Sequence, residues 1–333
     1  MERQPHQSLN PQHDNQTNGV QHRQSNSGIA VSSTVPLSVV IPTYRREQVL
    51  LNTIQYLLNL QPPPAEIIVV DQTGDHEVST HAQLNQWGKN KEIRWVRLEE
   101  PSIPKAMNQG LLLARNDIVL FLDDDIMPSE NLITAHASAH GAEGVGVVAG
   151  KVIQPWDTGT QPAGKKFGFA SDTKQFIHEF MGGNFSVKRS LAIGLGGFDE
   201  NFVHVAYRFE AEFSERLLTG GYKILFEPGA IIRHLKVSAG GTRSYGNFLT
   251  TIKPGHAVGE YYYLLRSRYT RYKAFRLIWH PLRAVRTRHH LRHPWQIPMT
   301  LIAELQAFFW ALFFTIRGPR LLAREELNRG DDD

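Results

Sequence analysis

The sequence contains no cysteine among its 333 residues. Disulfide bonds and thiolate metal sites are therefore excluded, and any metal ion must be bound by carboxylates, histidines or backbone oxygens. A reducing compartment such as the cytoplasm is compatible with this composition. Because 41% of the residues are hydrophobic, the chain can bury the core of one large domain or two ordinary ones, which excludes a fibrous or fully disordered protein.

Apolar residues are scarce at the N-terminus, where residues 1–34 are rich in Gln, Asn, Ser and His. A stretch of this composition buries too little apolar surface to fold, so we predict a disordered polar tail. It also lacks the basic start and the apolar segment of a secretory signal, which argues against export by that route.

From Leu37 onward, short apolar strands alternate with amphipathic helices. The strands are predicted at "LSVVIPT", "AEIIVVDQTGD", "EIRWVRL" and "NDIVLFLDDD", with a helix between each pair. Strands that are almost entirely apolar indicate a mostly parallel sheet covered by helices on both faces. We therefore predict an open α/β fold, in which ligands bind beyond the carboxyl ends of the strands.

Four aspartates follow two of these strands. Asp71 ends the second strand, and Asp123, Asp124 and Asp125 end the fourth. They are therefore expected at the edge of the sheet where a ligand binds. Carboxylates in this position suit Mg²⁺ or Mn²⁺, which bind oxygen ligands together with the phosphates of a nucleotide. The alternative is a solvated acidic turn that binds nothing.

Several segments resemble the motifs of family 2 glycosyltransferases, in the same order along the chain. They read "VVIPTYRR", "EIIVVDQTGD", "NDIVLFLDDDIMPSENLI", "MGGNFSVKRSLAIGLGGFDENF" and "FEAEFSERLLTGGYKILFEPGAIIRH". The resemblance covers roughly residues 37–243 and implies the Rossmann-like GT-A fold with its Asp-x-Asp motif. It implies a GT-A domain at 35–243, with a donor half at 37–127 and an acceptor half at 145–243, followed by a basic helical extension at 244–333.

The resemblance also implies roles for individual residues. Asp125 would hold the metal ion against the donor diphosphate, His234 would join the metal or diphosphate shell, and Asp123 would lie nearest the ribose. The other implied donor-site residues are Pro42, Thr43, Tyr44 and Asp71 at the nucleoside, Asp124 at the variable middle position of the motif, Gly183 and Asn184 in the donor and acceptor pocket, and Arg243 at a phosphate.

The catalytic base of the family aligns with Glu210. Relatives commonly have Glu-Asp-x-Asp before the following arginine, whereas this chain has "FEAE", so Glu212 is retained as an alternative base. The alternative without catalysis is an exposed helix face. Met107 stands where the family usually has an arginine, so either Lys105 supplies the missing charge from the preceding turn or donor binding is altered.

The resemblance implies an inverting transfer of sugar from a nucleotide-diphosphate sugar to a hydroxyl of a glycan or lipid-linked acceptor, for example in polysaccharide assembly. The departing diphosphate needs positive charge beside it, and the attacking hydroxyl needs a base on the opposite side of the sugar. One alternative is a catalytically inactive relative that binds glycan or membrane. A second is a sugar-phosphate nucleotidyltransferase, which would have a glycine-rich loop where this chain has "PTYRRE". The donor, the acceptor and the oligomeric state are left open.

Positive charge dominates the sequence after Arg243. Residues 266–292 contain nine Lys or Arg, interleaved with Tyr, Phe and Trp. This pattern predicts peripheral contact with an anionic membrane, at the inner face on the cytoplasmic side, and the alternative is a solvated basic face. Nucleic acid is not expected, because no recognised binding motif accompanies the charge. The apolar stretch 297–316 is long enough to span a bilayer, but Glu304 lies inside it, which favours an interfacial or packed helix over a span.

Overall fold

The structure is a computed structural model that describes residues 34–157, 167–241, 249–268 and 272–323. The predicted tail before residue 34 and the predicted phosphate ligand Arg243 lie outside the described residues. The strands of the described part are β1 (Val35–Thr43), β2 (Pro64–Asp71), β3 (Arg94–Arg97), β4 (Ile118–Leu122), β5 (Ile126–Pro128), β6 (Val145–Ile153), β7 (Gln175–Ile177), β8 (Asn184–Lys188) and β9 (Lys223–His234). Its α-helices are α1 (Gln48–Leu58), α2 (Val78–Lys89), α3 (Ile103–Leu113), α4 (Leu132–Ala139), α5 (Arg189–Gly194), α6 (Phe209–Thr219), α7 (Val258–Arg266), α8 (Lys273–Val285), α9 (Arg288–Arg292) and α10 (Ile297–Arg317).

The strands of the described part form one sheet in the order β3-β2-β1-β4-β8-β6-β9-β5, and β7 pairs with β9. Strand β1 pairs in parallel with β2 and β4, and β2 pairs in parallel with β3. The carboxyl ends of these four strands therefore lie along one edge. Strand β8 runs antiparallel between β4 and β6. The parallel half confirms the α/β fold predicted from the apolar strands.

The sheet is buried on both faces, because successive side chains of a strand point into two different apolar cores. In β1, Val40 belongs to one core, while Val39 and Ile41 belong to the other. Helices α3 and α6 cover the first core, and α1 and α4 cover the second. In the first core, Phe121 of β4 stacks on Phe185 of β8 with ring centroids 5.0 Å apart. Burial of each such ring contributes about 2–3 kcal/mol, which fixes β4 just before its acidic end.

Helices α7 and α10 pack on the first core, so the C-terminal helices share their apolar contacts with the sheet. Tyr262 of α7 is fully buried there, and its hydroxyl donates to Oδ2 of Asp199 at 2.7 Å. Ala307 and Ala311 of α10 are fully buried in the same core. Side chains as small as alanine let α10 lie close against its neighbours.

A buried carboxylate connects α7 to two other elements. Glu260 of α7 accepts a hydrogen bond from Nε of Arg208 at 2.7 Å and another from Nη2 of Arg276 in α8 at 3.0 Å. Arg208 directly precedes α6 and has a left-handed backbone with φ of 74°. The start of α6 and the helix α8 are therefore held by the same side chain.

Candidate active site

A cleft of about 470 Å³ opens at the carboxyl ends of β1 and β4. Its walls come mainly from three segments, which are residues 42–46 after β1, residues 122–125 at the end of β4, and residues 234–241 after β9. The sequence-predicted residues Pro42, Thr43 and Tyr44 are in its wall. This is the place where an open α/β sheet binds its ligand.

Three potential metal ligands converge in the cleft. Asp123, Asp125 and His234 each offer one ligand atom, and these atoms lie within 4.8 Å of one another. Nε2 of His234 is 3.2 Å from Oδ1 of Asp125 and 4.0 Å from Oδ2 of Asp123. The strand register causes this proximity, because His234 at the end of β9 pairs with Ile126, the residue after Asp125. Two carboxylates and an imidazole are a suitable donor set for Mn²⁺, and the carboxylates also suit Mg²⁺.

The orientation of His234 fits a cation in this position. Its Nδ1 lies 3.0 Å from Oε1 of Gln154, and this contact fixes the orientation of the ring. Its Nε2 faces the carboxylate of Asp125, so the ring presents one nitrogen to the position where a cation would bind.

Asp125 is held in its ionised form. Burial acts to raise its pKa, but the contacts with His234, the backbone N–H of Val237 and Arg46 outweigh burial and lower the pKa of Asp125 below its usual value. The N–H of Val237 donates to Oδ2 at 2.9 Å. The carboxylate is therefore both fixed and charged, as a metal ligand must be.

Arg46 ties together the three segments that form the cleft. Its guanidinium donates from Nε to Oδ1 of Asp124 at 3.0 Å and from Nη2 to Oδ2 of Asp125 at 3.3 Å. Its Nη1 donates to the carbonyl of Val237 at 2.9 Å and to the carbonyl of Ala239. Sequence reasoning missed this residue, although the paired arginines that directly follow the first strand were a visible signal.

Asp124 is more than the variable middle residue of the motif. It is buried, and it accepts a hydrogen bond from Oγ1 of Thr43 at 2.8 Å in addition to the bond from Arg46. Burial raises the pKa of Asp124 to about 7, although Arg46 and Thr43 act in the opposite direction. Asp124 therefore holds the turn after β1 against the end of β4, between the candidate metal ligands Asp123 and Asp125 in sequence.

Among the residues that the structure describes, Arg46 and Lys236 are the arginine and lysine side chains that line the cleft. The ammonium of Lys236 lies 3.9 Å from the ring centroid of Trp156, which orients it by a cation–π contact. The proposed substitute cation Lys105 is instead paired with Glu100 at 3.7 Å and does not line the cleft. Met107 is in the cleft wall, so the place of the family's arginine is apolar in this chain.

The structure places Asp71, the residue predicted at the nucleoside, behind the cleft wall and not in it. The residue is completely buried. Its carboxylate accepts hydrogen bonds from the backbone N–H of Thr73 at 2.9 Å, from Nε2 of His76 at 2.7 Å and from Nε1 of Trp95 at 3.0 Å. These bonds hold the turn after β2, and the adjacent Gln72 lines the cleft instead.

Asn184 was also expected in the pocket, and the structure places it in the sheet. It is completely buried, and its amide donates to the carbonyls of Lys151 at 3.1 Å and Ala230 at 2.9 Å. Its Oδ1 is 2.9 Å from Nε2 of His136. All its hydrogen bonds are therefore used inside the fold, and Asn184 joins β8 to β6 and β9.

Gly183 supports the metal-ligand cluster from behind. A Cβ at this position would overlap the carboxylate of Asp123, so only glycine leaves room for that side chain. The neighbouring Gly182, rather than Gly183, is in the cleft wall.

The two candidate bases have different surroundings. Glu212 is buried, and its carboxylate accepts two hydrogen bonds from Arg216, from Nε at 2.8 Å and from Nη2 at 2.7 Å. Glu210 is half-buried in the first turn of α6. Its Oε1 is 2.9 Å from the point that a Cβ on Gly182 would occupy, which places this carboxylate next to the cleft wall. Glu212 is thus engaged by an arginine, whereas Glu210 lies next to the cleft wall.

Comparison with known proteins identifies the family. The model of the glycosyl transferase family 2 matches residues 38–205, half of the chain. The uncharacterised glycosyltransferase YfnE of Bacillus subtilis (strain 168) is 32% identical over 114 residues, which are 34% of this chain and 29% of that protein. The chondroitin synthase of Pasteurella multocida (strain Pm70) is 29% identical over 124 residues, which are 36% of this chain and 13% of that protein. The matched part thus spans less than a third of either relative.

A solved structure shows the same fold. The mannosyltransferase PcManGT from Pyrobaculum calidifontis, in complex with GDP-Man and Mn²⁺, superposes with a TM-score of 0.51 over 83% of this chain and 76% of that one, at 19% identity. The GT-A fold expected from the motifs is therefore confirmed. Because the family's own model covers half of the sequence, including the acidic end of β4, the chain belongs to glycosyl transferase family 2.

Proposed function

We propose that this chain transfers a sugar from a nucleotide-diphosphate sugar to an acceptor hydroxyl, with inversion at the anomeric carbon. One observation carries the proposal: the cleft brings the cluster of Asp123, Asp125 and His234 together with residues 42–44, and a separate carboxylate outside the cluster, Glu210, lies beside its wall. A metal-binding carboxylate and a separate proton acceptor are the two acidic functions that the reaction requires.

The donor side of the proposal is the metal cluster and the cations near it. Asp123, Asp125 and His234 would hold Mn²⁺ or Mg²⁺, which when bound supplies positive charge beside the departing diphosphate. Lys236 lines the same cleft and offers a further positive charge to the phosphates. The mannosyltransferase of similar fold was solved with GDP-Man and Mn²⁺, which supports a nucleotide sugar and this class of metal as the partners of the chain.

The acceptor side of the proposal is Glu210. As the acceptor oxygen forms its bond to the anomeric carbon, the hydroxyl proton passes to the carboxylate of Glu210, and the bond from that carbon to the diphosphate oxygen breaks. The nucleoside diphosphate leaves with the bonding electrons. Attack from the side opposite the leaving group produces the inversion.

The proposed acceptor is a glycan or a lipid-linked saccharide, and the proposed setting is polysaccharide assembly at the cytoplasmic face of a membrane. The similarity to a chondroitin synthase over 36% of this chain supports a glycan product. The basic and aromatic C-terminal segment supports peripheral contact with an anionic membrane.

A second candidate function is binding of donor without transfer. Its supporting observation is the ion pair between Glu212 and Arg216, which leaves Glu210 as the single candidate base of the "FEAE" segment. An inactive relative would retain the metal cluster and would bind a nucleotide sugar, but it would not release a nucleoside diphosphate.

The experiment measures nucleoside diphosphate release from a panel of sugar nucleotides, with Mn²⁺ and with a chelator. We expect release that requires the metal and that falls by at least about a thousandfold in both Asp125→Ala and Glu210→Gln. Mn²⁺ binding is measured in parallel. It should be lost in Asp125→Ala and kept in Glu210→Gln, which separates the metal site from the base.

The matched control is Glu215→Gln, which makes the same change on the same helix outside the cleft wall. It should release nucleoside diphosphate at the wild-type rate. Donor binding without release by the wild type, in the presence of a panel of saccharide and lipid-linked acceptors, would establish the second candidate. Equal release by the wild type and Glu210→Gln would refute the assigned base.

A further inference from the structure

The C-terminal helix α10 has an apolar side that the fold does not cover. In the described part of the chain, the stretch Pro294–Arg317, which contains α10, is long and apolar enough to cross a membrane, and most of it is not buried in the protein. Its exposed large side chains recur at helical spacing on one side. We call this set the apolar outer face, and it consists of Leu301, Ile302, Leu305, Phe309, Phe313 and Ile316. Phe309 is 58% exposed and Ile316 is 78% exposed.

The opposite side of α10 is packed into the protein. Ala303, Ala307 and Ala311 are buried there, together with Glu304. The carboxylate of Glu304 accepts hydrogen bonds from the hydroxyl of Tyr261 at 2.7 Å and from Nδ1 of His280 at 2.8 Å. A polar side chain with these partners keeps this side of the helix on the protein. The helix therefore cannot be surrounded by lipid without breaking these contacts.

Helix α8 lies next to α10 and repeats the pattern. Phe275, Ile278, Trp279 and Leu282 are exposed at intervals of three and four residues, so they form one stripe on the helix. The rings of Phe275 and Trp279 stack with centroids 5.9 Å apart. Towards the protein, His280 of α8 binds Glu304 of α10, as described above. Two adjacent helices thus each expose a row of large apolar side chains, the kind of surface that marks an interaction site.

The charged residues in and between these helices are almost all positive. Residues 272–320 contain eight Lys or Arg and a single acidic residue, Glu304, which is buried. Arg283 in the last turn of α8 is exposed, and so are Arg286, Arg288 and Arg292 between α8 and α10. A second copy of the same surface would bring these like charges together, whereas anionic lipid headgroups would neutralise them.

We propose that α8 and α10 form an in-plane docking surface for an anionic phospholipid bilayer. The stripe of α8 and the apolar outer face of α10 enter the boundary between headgroups and acyl chains, and the exposed arginines contact the phosphates. The inner side of α10 stays on the protein, so the helix lies in the membrane surface and does not cross it. The surface deepens the proposed function by bringing the cleft to a lipid-linked acceptor, and in that respect it rests on the proposed function.

The test is vesicle co-sedimentation of the full chain, which requires no turnover and therefore fails or succeeds independently of the proposed transfer. Vesicles of phosphatidylcholine alone are compared with vesicles that also contain phosphatidylglycerol. We expect binding to the anionic vesicles that weakens with added salt. Leu305→Gln/Phe309→Gln should weaken it on the order of a hundredfold, because each buried apolar side chain contributes at least about a tenfold factor. Arg286→Gln/Arg288→Gln should weaken it about tenfold or more, and only on anionic vesicles.

The matched control is Phe176→Gln, an exposed phenylalanine on β7 that is outside the proposed surface. It should bind vesicles as the wild type does. Three results would overturn the proposal: no sedimentation of the wild type with anionic vesicles, unchanged binding by both double variants, or retention of the chain in expressing-cell membranes after an alkaline carbonate wash, which indicates a span. A wild-type dimer that Leu305→Gln/Phe309→Gln converts to a monomer, without vesicle binding by either, would assign the face to a second copy.

Discussion

Replacing Arg46 with lysine is the sharpest test of how the cleft is held together. Arg46 makes four hydrogen bonds, two to the carboxylates of Asp124 and Asp125 and two to the carbonyls of Val237 and Ala239. A guanidinium reaches these acceptors because its donors form a planar fork, whereas a lysine ammonium is a single point. Arg46→Lys keeps the positive charge and removes the planar arrangement of hydrogen-bond donors.

The expected loss of stability follows from the number of bonds. The lysine nitrogen can remain near one carboxylate, but both carbonyls lose their charged donor. Hydrogen bonds to charged groups contribute about 1.5–3 kcal/mol each, so two of them account for about 3 kcal/mol at the lower end. The side chains are nearly buried, with exposed fractions of 9% for Arg46, 9% for Asp124 and 2% for Asp125, so water does not replace the donors fully. With an m-value of about 3 kcal/mol per molar urea, the unfolding midpoint should fall by about 1 M.

The assay combines urea unfolding in chelator with Mn²⁺ titration followed by electron paramagnetic resonance. Arg46→Lys should unfold earlier and bind Mn²⁺ more weakly, because the carboxylate of Asp125 loses one of its supports. The control is Arg45→Lys, the same change at the exposed neighbour, whose guanidinium lies 5.1 Å from the ring centroid of Tyr44. Wild-type unfolding together with wild-type Mn²⁺ affinity in Arg46→Lys would refute the assigned role.

Three further variants probe other parts of the site and its support. Gly183→Ala should abolish Mn²⁺ binding, because the new methyl group displaces the carboxylate of Asp123, whereas Gly194→Ala, which meets no atom within 4 Å, should bind Mn²⁺ normally in the same titration. The pKa of His136 is lowered from 6.5 to about 4, chiefly by burial, so the unfolded chain binds more protons between these values. The free energy of unfolding should therefore decrease by up to about 3 kcal/mol as the pH falls from about 6.5 to about 4. His136→Gln should reduce this dependence of the unfolding free energy on pH, measured by urea unfolding at several pH values. An unchanged dependence would contradict the assignment of the effect to His136. Glu212→Gln should lower the unfolding midpoint, because the pair with Arg216 is lost, and donor turnover per folded molecule should persist. Loss of turnover without loss of stability would instead identify Glu212 as the base.

The sheet and the position of the cleft could be predicted from the sequence because both depend on local patterns. The apolar runs of β1, β2 and β4 identify buried strands without any knowledge of their partners. The acidic cluster of Asp123 to Asp125 follows one of them directly, so its place at the edge of a parallel sheet needs no further information. His234 was found through its motif, and the structure brings it to the cluster by strand register.

The partners of buried polar side chains could not be predicted in this way. Asp71 and Asn184 have the residue types of ligand contacts, but hydrogen bonds inside the fold occupy both, including bonds to groups distant in sequence such as Trp95 for Asp71 and Ala230 for Asn184. Arg46 was missed for the same reason, since its acceptors lie 78 to 193 positions away along the chain. Sequence patterns indicate where a polar group stands, whereas long-range contacts decide whether it faces a ligand or the protein.

The pairing of Glu260 with Arg208 and Arg276 has a mechanical consequence. Arg208 immediately precedes the helix that carries Glu210, and Arg276 is on α8. Both arginines donate to one carboxylate, and α8 itself has no buried residue. A displacement of α8 would therefore reach, through Glu260, the residue that stands two positions before Glu210.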